Sequence, residues 1–182
     1  RLYVWNHFAA SLSVVDLVSH SEVSQIALFN PLPEAIKQGR QFLYNTHETS
    51  GLGQIACASC HVDGRMDRLA WDLGDPAGSV KPFNQNCQTT SNLLSSPGCS
   101  DFHPMKGPMV TQTFQDIIGN EPFHWRGDRD GIEEFNGAFM GLNGDDEQLT
   151  PQQMQQFKSM LATITFPPNP FRNIDNSLPN SI

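Results

Sequence analysis

The chain has 182 residues and a formal charge of −8 at pH 7, enough for one medium domain or a small one with appendages. Hydrophobic residues make up 38% and charged residues 16%, with 14 glycines and 13 prolines, which describes a loop-rich globular chain and excludes a disordered or fibrous one. The acidic balance argues against nucleic acid and anionic membrane surfaces as partners and for a basic protein or a positive patch.

No apolar run approaches the roughly 18 residues of a membrane span. No signal peptide is visible. The opening "RLYVWN" lacks an initiator methionine and reads as a mature or excised piece, so the missing signal is no argument for a cytoplasmic home.

Residues 1–30 read as strands. "LYVWN", "SLSVVDL" and "VSQIALF" are short β-prone runs, and "FNPLP" ends the pattern. From Pro33 the spacing changes. "PEAIKQGRQFLYNTHE" groups Ile36, Phe42, Leu43 and Tyr44 on one helix. Gly39 within it costs about 1 kcal/mol against Ala and fits a close approach by a second helix. Gly51 and Gly53 suit turns.

Next comes "QIACASCHVDG", which places Cys57, Cys60 and His61 in the spacing C-x-x-C-H. Three chemistries use such residues. A thioredoxin-like redox pair needs a strand-to-helix junction in a βαβ unit, and no such alternation surrounds this motif. Zinc needs further Cys or His at finger-like spacing, and only the distant Cys87 and Cys99 remain. Covalent haem c needs nothing more: two thiols three residues apart reach two vinyl groups, and the adjacent imidazole meets the iron. The motif is therefore expected to carry one haem c, attached through Cys57 and Cys60 with His61 as axial ligand. Because this attachment proceeds outside the cytoplasm, a periplasmic location follows. In that oxidising setting Cys87 and Cys99 are expected to form a disulfide.

Residues 71–86, "WDLGDPAGSVKPFNQN", form a long insertion with turn residues throughout. Residues 131–141 are the most helix-like part of the following segment. Thr150 and Pro151 make an N-cap and N1 pair, and Met154, Phe157, Leu161 and Ile164 share one helical face. The tail, "TFPPNPFRNIDNSLPNSI", is Pro/Asn-rich and linker-like. The acidic run at 143–148 offers oxygen ligands for Ca²⁺ without an EF-hand pattern, so a solvated loop is preferred.

Two helices flanking a haem motif are what a class I cytochrome c core requires. The expected fold is mainly α, a class I cytochrome c-like haem domain with long loops and a short N-terminal β segment. Its expected boundaries are a β segment at 1–30, the haem domain at 31–166 and a linker-like tail at 167–182.

The other face of the iron has many candidates: Met105, Met109, Met140, or one of His7, His20, His47, His103 and His124. Met66 is too close to His61, and Met154 and Met160 fit a helix core. Here "KGPMVTQTFQDIIGNEPFHWRGDRDGIEEFNGAFMGL" resembles the late segment of bacterial di-haem cytochrome c peroxidases and the related methylamine-utilisation oxidases. In these, a "TP-x-LRN" stretch leads to a "PYFHDG" turn, a "LEEAV" helix and a ligating Met. The resemblance spans about Pro33 to Leu178 and implies Met140 as the distal ligand, giving His61/Met140 ligation. It departs from the family where Trp125 and Arg126 lengthen the turn. Arg126, beside Trp125, is the favoured propionate partner over Arg65, Arg68 and Arg129. His124 reads either as a distal acid–base group or ligand, or as a turn histidine bonded to backbone, the latter preferred.

"YVWNHFAASLSVVDL" is in turn similar to one repeat of the bacterial β-propellers named for a Tyr-Val-Thr-Asn motif, with Trp5 in place of Thr. Together these imply a one-haem segment of a larger polypeptide or a one-haem relative. The partners expected are a redox protein, and a second haem domain or propeller in the same or another chain. Single-electron transfer is the expected function, with a peroxidase- or oxidase-like site of open or displaceable sixth position as the alternative.

Overall fold

The computed structural model describes residues 1–80, 103–175 and 177–179. The first 27 residues fold as a three-stranded antiparallel meander, β1 (Leu2–Asn6), β2 (Ser11–Asp16) and β3 (Ser21–Ala27), in the order β1-β2-β3. Val4 faces Ser13 and Trp5 faces Leu12, and a bulge interrupts the β2–β3 register between Val14 and Val15. Only the central strand is buried, through Ser11, Ser13 and Val14. The buried hydroxyls are satisfied by Asn6, whose Nδ2 donates to Ser11 Oγ at 3.1 Å and Ser13 Oγ at 2.7 Å.

A clamp joins this sheet to the helical part. Arg40, buried in helix α1 (Glu34–Tyr44), donates to the carbonyl of Phe8. Its guanidinium also lies 4.7 Å over the Phe8 ring, a cation–π contact. Phe8 in turn meets Tyr44 at 6.1 Å between ring centres.

The core is built where α1 crosses α4 (Pro151–Leu161), with the short helices α2 (Thr46–Thr49) and α3 (Gly137–Gly141) alongside. Phe42 and Phe139 both present edges to Phe157, with centroids 6.4 and 6.3 Å apart, an arrangement the ring quadrupole favours. Leu43 and Leu161 are fully enclosed. Helix α4 opens with a capping box: Thr150 Oγ1 accepts from the Gln153 N–H, and Gln153 Oε1 accepts from the Thr150 N–H. Asp116 secures the exit from α4, its N–H donating to Ile164 O and its carboxylate accepting from the Phe166 N–H.

The helix crossing is as close as the Gly39 position suggests. A Cβ placed there would lie 2.2 Å from Met160 Cβ and 2.5 Å from the Gln156 carbonyl oxygen.

The expectation of a mainly α fold is overturned. Among the described residues, helix accounts for 26% and strand for 15%, over four helices and two sheets. The meander takes up the N-terminal segment, and the Cys57–His61 motif sits on 3₁₀ turns at Cys57–Ser59 and Val62–Gly64 rather than on an α-helix. A second sheet pairs β4 (Ala70–Trp71) with β5 (Met109–Val110). No helix among the described residues is long and apolar enough to cross a membrane.

The crossing makes a direct prediction. Gly39→Ala should destabilise the protein by about 1–3 kcal/mol, since backbone must move to admit the methyl group. Urea denaturation followed by far-UV circular dichroism measures it, and an unchanged midpoint would contradict the close crossing.

Candidate functional site

The motif is held in a tight turn. Ser59 Oγ accepts from the Ala56 N–H, and the Cys60 and His61 N–H groups both donate to the Cys57 carbonyl. The turn continues through Asp63 at φ 54° to Gly64. Gly64 is buried, and a Cβ there would meet Ile164 at 2.9 Å, so glycine serves both the left-handed backbone and the approach of the chain beyond α4.

Two ribbons then close on the imidazole. The β4–β5 pairing brings residues 109–114 beside the motif, with Thr111 N–H donating to Leu69 O and Phe114 N–H to Gly64 O. This sets Gln112 O at 2.8 Å from His61 Nδ1. It also stacks Phe114 on the His61 ring, with centroids 3.8 Å apart and planes 13° from parallel. With Nδ1 donating to a carbonyl, the tautomer is fixed and Nε2 is left as the basic nitrogen, the arrangement metal-binding imidazoles use. Burial disfavours protonation and pulls the His61 pKa down, although the backbone hydrogen bonds of Gln112 and Arg65 and the Asp67 carboxylate act the other way. A neutral imidazole results, as a metal ligand must be.

The two cysteines are free thiols. Burial pushes Cys57 up to about 11, against a hydrogen bond from the Asn143 side chain. Burial also raises Cys60, aided by Asp67. Such thiols are protonated at neutral pH, the opposite of the lowered values of redox-active C-x-x-C pairs. Among the described residues, no three His, Cys, Asp or Glu side chains converge as a metal-ion site, so a zinc set has no further ligands there.

The segment carrying Met140 reaches the motif through backbone and Asn143. Gly51 N–H donates to Gly144 O at 3.0 Å, and Gln54 Nε2 donates to Asn143 O at 3.3 Å. Asn143 itself is buried. Met140, next to the buried Phe139 on α3, is 44% exposed. Leu52, Val62, Met66 and Leu142 are also exposed, leaving apolar surface on the same segments as the two thiols.

The turn after the cis Glu121–Pro122 bond is stitched to the ribbon that holds His61. Trp125, itself exposed, donates from Nε1 to Val110 O at 2.8 Å. Arg126 donates to Met105 O at 3.1 Å. His124 departs from the preferred reading: its Nδ1 pairs with the Asp128 carboxylate at 2.8 Å, not with backbone. Arg129 also approaches Asp128, whereas Arg65 and Arg68 are exposed. The acidic run follows the turn at Leu142–Asn143 and bends at Asp146 and Glu147, with Asp145 accepting from the Asp146 N–H. Cys87 and Cys99 lie outside the described residues.

Sequence reasoning missed Gln112, Phe114 and Asn143. Gln112 acts through a carbonyl that every residue possesses, so no side-chain pattern marks it. Phe114 lay in plain view in "TQTF", and a flat ring close to a second-layer acceptor was the available signal.

The similarity is to hydrazine synthase. The chain is 27% identical over 147 residues to the hydrazine synthase subunit gamma of Kuenenia stuttgartiensis, covering 80% of this chain and 36% of that protein. A chain in the structure of Kuenenia stuttgartiensis hydrazine synthase under xenon shares the fold, with TM-score 0.51 and 20% identity over 83% of this chain and 43% of the other. The chain thus spans about a third of the curated relative's length. No protein-family model matches.

The resemblance to di-haem peroxidases, methylamine-utilisation oxidases and propellers is therefore corrected: both matches lead to hydrazine synthase. The misleading stretches were short. Thiol spacing, a tight turn and an acidic helix start are local solutions that recur on different scaffolds, and a three-stranded meander is shared by many β folds.

The raised thiols predict slow alkylation. In protein whose Cys57 and Cys60 are unmodified, iodoacetamide should react with Cys57 far more slowly than with a free cysteine at pH 8, because roughly one thiol in 10³ is ionised. Its rate should climb as pH rises toward 11. Mass spectrometry of the modified peptide reads both, and fast labelling at pH 8 would contradict the buried thiol.

Proposed function

We propose that this chain is a c-type cytochrome domain that carries one haem, bound covalently through Cys57 and Cys60 with His61 as an axial ligand, and that it passes single electrons to a partner protein in the periplasm. The observation that carries this reading is the His61 ring, pinned at Nδ1 by Gln112 O and stacked on Phe114, beside two protonated, unpaired thiols. The donor set suits the group. Protonated thiols are what thioether formation with vinyl groups consumes, the imidazole is held neutral, and uncovered apolar side chains on adjoining segments match a flat apolar ligand.

Once bound, the haem supplies reversible one-electron exchange at iron. The protein's share is positional. Gln112 and Phe114 hold the imidazole against rotation and fix its basic nitrogen. The Asn143 amide fixes Cys57, and Trp125 anchors the ribbon that carries Gln112. Met140 is proposed as the distal ligand, its soft sulfur favouring the reduced iron. Trp125 and Arg126 are proposed to border the haem edge. The likeness to one subunit of a multi-subunit enzyme supports a protein partner.

Met140's 44% exposure and the enzyme name of the relative favour a second reading, in which the sixth position is displaceable and the domain does chemistry. An optical spectrum of the oxidised protein separates the two. A weak red-edge thioether-to-iron band that disappears in Met140→Ala indicates electron transfer; a high-spin spectrum indicates an open site. Produced with haem-attachment machinery, wild type should gain the mass of one haem, and Cys57→Ala/Cys60→Ala should gain none. An unmodified wild-type mass would end the proposal.

A further inference from the structure

We propose that Asp128 and Asp130 supply the carboxylates of a divalent-cation site, of the hard, oxygen-ligated class that Ca²⁺ fills, on the turn between Phe123 and the 3₁₀ segment Ile132–Phe135. The site stands apart from the electron-transfer reading and from the acidic run at 143–148.

A single atom points to the ligand. Asp130 Oδ1 is buried and has no hydrogen-bond partner, the one such side-chain oxygen or nitrogen among the described residues. Buried polar atoms are ordinarily paired, and a carboxylate oxygen taken out of water without a partner is among the costliest exceptions. Whatever reaches a buried oxygen from solvent must be small, a cation or a water molecule. The neighbouring carboxylate favours the cation. Asp128 is 1% exposed, and burial pushes its carboxyl up. The hydrogen bond from His124 and the charges of His124, Arg129 and Lys106 outweigh that and hold it below the ordinary carboxylate range. It is therefore an anion at neutral pH, and a second anion beside it is relieved by a shared positive ion.

Backbone geometry puts the two side by side. Phe123 and Arg129 form an antiparallel bridge, with the Phe123 N–H donating to Arg129 O at 2.7 Å. Residues on either side of a bridged position share one face of the ribbon, about 6.6 Å apart along it. Asp128 and Asp130 occupy those positions. A Ca²⁺ ion holding oxygens at roughly 2.3–2.6 Å on each side fits between such a pair. The turn is also held in place: His124 and Gly127 take φ of 66° and 64°, and Trp125 Nε1 donates to Val110 O at 2.8 Å.

The existing bonds leave room for an ion. Asp128 Oδ1 accepts from His124 Nδ1 at 2.8 Å, and its Oδ2 lies 3.5 Å from Arg129 Nη1, whose shorter bond of 2.7 Å goes to the Asp128 carbonyl. A carboxylate offers about four acceptor positions. Glu133 Oε2 leans over Gly131, where a Cβ would lie 2.7 Å from it, but Glu133 Oε1 is engaged by Lys158 at 2.7 Å. Among the described residues no three His, Cys, Asp or Glu side chains converge, so backbone carbonyls and water complete the shell. Ca²⁺ accepts such an irregular oxygen shell, whereas Mg²⁺ demands a regular octahedron and zinc prefers Cys and His. With two carboxylates, a Kd on the order of 10⁻⁴–10⁻³ M follows.

The test adds CaCl₂ to the full chain, first freed of metal by a chelator, and reads calorimetry, thermal unfolding and hydrogen-exchange mass spectrometry. One Ca²⁺ should bind per chain. The unfolding midpoint should rise by roughly 3–10 °C at about 10 mM Ca²⁺, and exchange should slow in the peptide spanning 123–131. MgCl₂ and NaCl at matched ionic strength should do markedly less, which separates a site from screening of the −8 charge. Asp130→Asn should lose at least about tenfold in Ca²⁺ affinity, yet unfold in chelator at or above the wild-type midpoint, since it removes an uncompensated buried charge. Asp145→Asn should bind as wild type does. An absent Ca²⁺ response, as a water on Oδ1 would give, overturns the site. So do equal responses to all three salts, slowed exchange at 143–148 in place of 123–131, or unchanged affinity in Asp130→Asn. Should that variant fail to fold, the position of slowed exchange in wild type decides.

Discussion

A long-range hydrogen bond, from His61 Nδ1 to the carbonyl of Gln112, fixes the imidazole of the motif against the rest of the fold. It spans 51 residues of sequence, so it forms only when β4 and β5 have paired and the 109–114 ribbon has been laid against the turn. Phe114 then adds a stacked face, and the ring has one orientation left. Everything a ligand could use at this site follows from that constraint: the tautomer, the direction of Nε2 and the burial that keeps the imidazole neutral. The helix crossing at Gly39 and the core around Phe157 provide the rigid floor on which the turn rests.

The same ribbon serves two tenants. Gln112 and Phe114 face His61, while Val110 accepts from Trp125 and so fixes the turn that holds His124 and Asp128. Residues far apart in the chain are thereby locked into one unit by backbone acceptors, with side-chain identity mattering chiefly at the aromatic rings.

Much of the local structure was legible. The capping residues Thr150 and Pro151, the helix face of Met154, Phe157 and Leu161, the close-packing glycine at 39 and the three N-terminal strands all announce themselves through residue type and period, which report local preference. Fold class was not legible, because period says nothing of proportion: short helices joined by Gly- and Pro-rich loops leave sheet as a real share of the structure. The lineage was misjudged for a related reason. The turn and the acidic helix start around residues 121–140 resemble the peroxidases only through short stretches, and such stretches reflect local demands more than descent. Gln112 was hidden because it contributes a carbonyl. His124 was misassigned to a backbone partner because its true partner, Asp128, becomes its neighbour only once the turn folds back at positive φ.

The Arg40 clamp on Phe8 has a mechanical meaning. One guanidinium grips both the carbonyl and the ring of the same residue, so the small sheet is fastened to α1 at a point that resists sliding as well as separation. Arg40 is adjacent to Gly39, where α1 touches α4, and three residues before Leu43 at the centre of the core. A load applied to the meander therefore travels along a short, stiff lever into the helix pair, and the sheet serves as a handle on the half of the molecule that carries Cys57, Cys60 and His61.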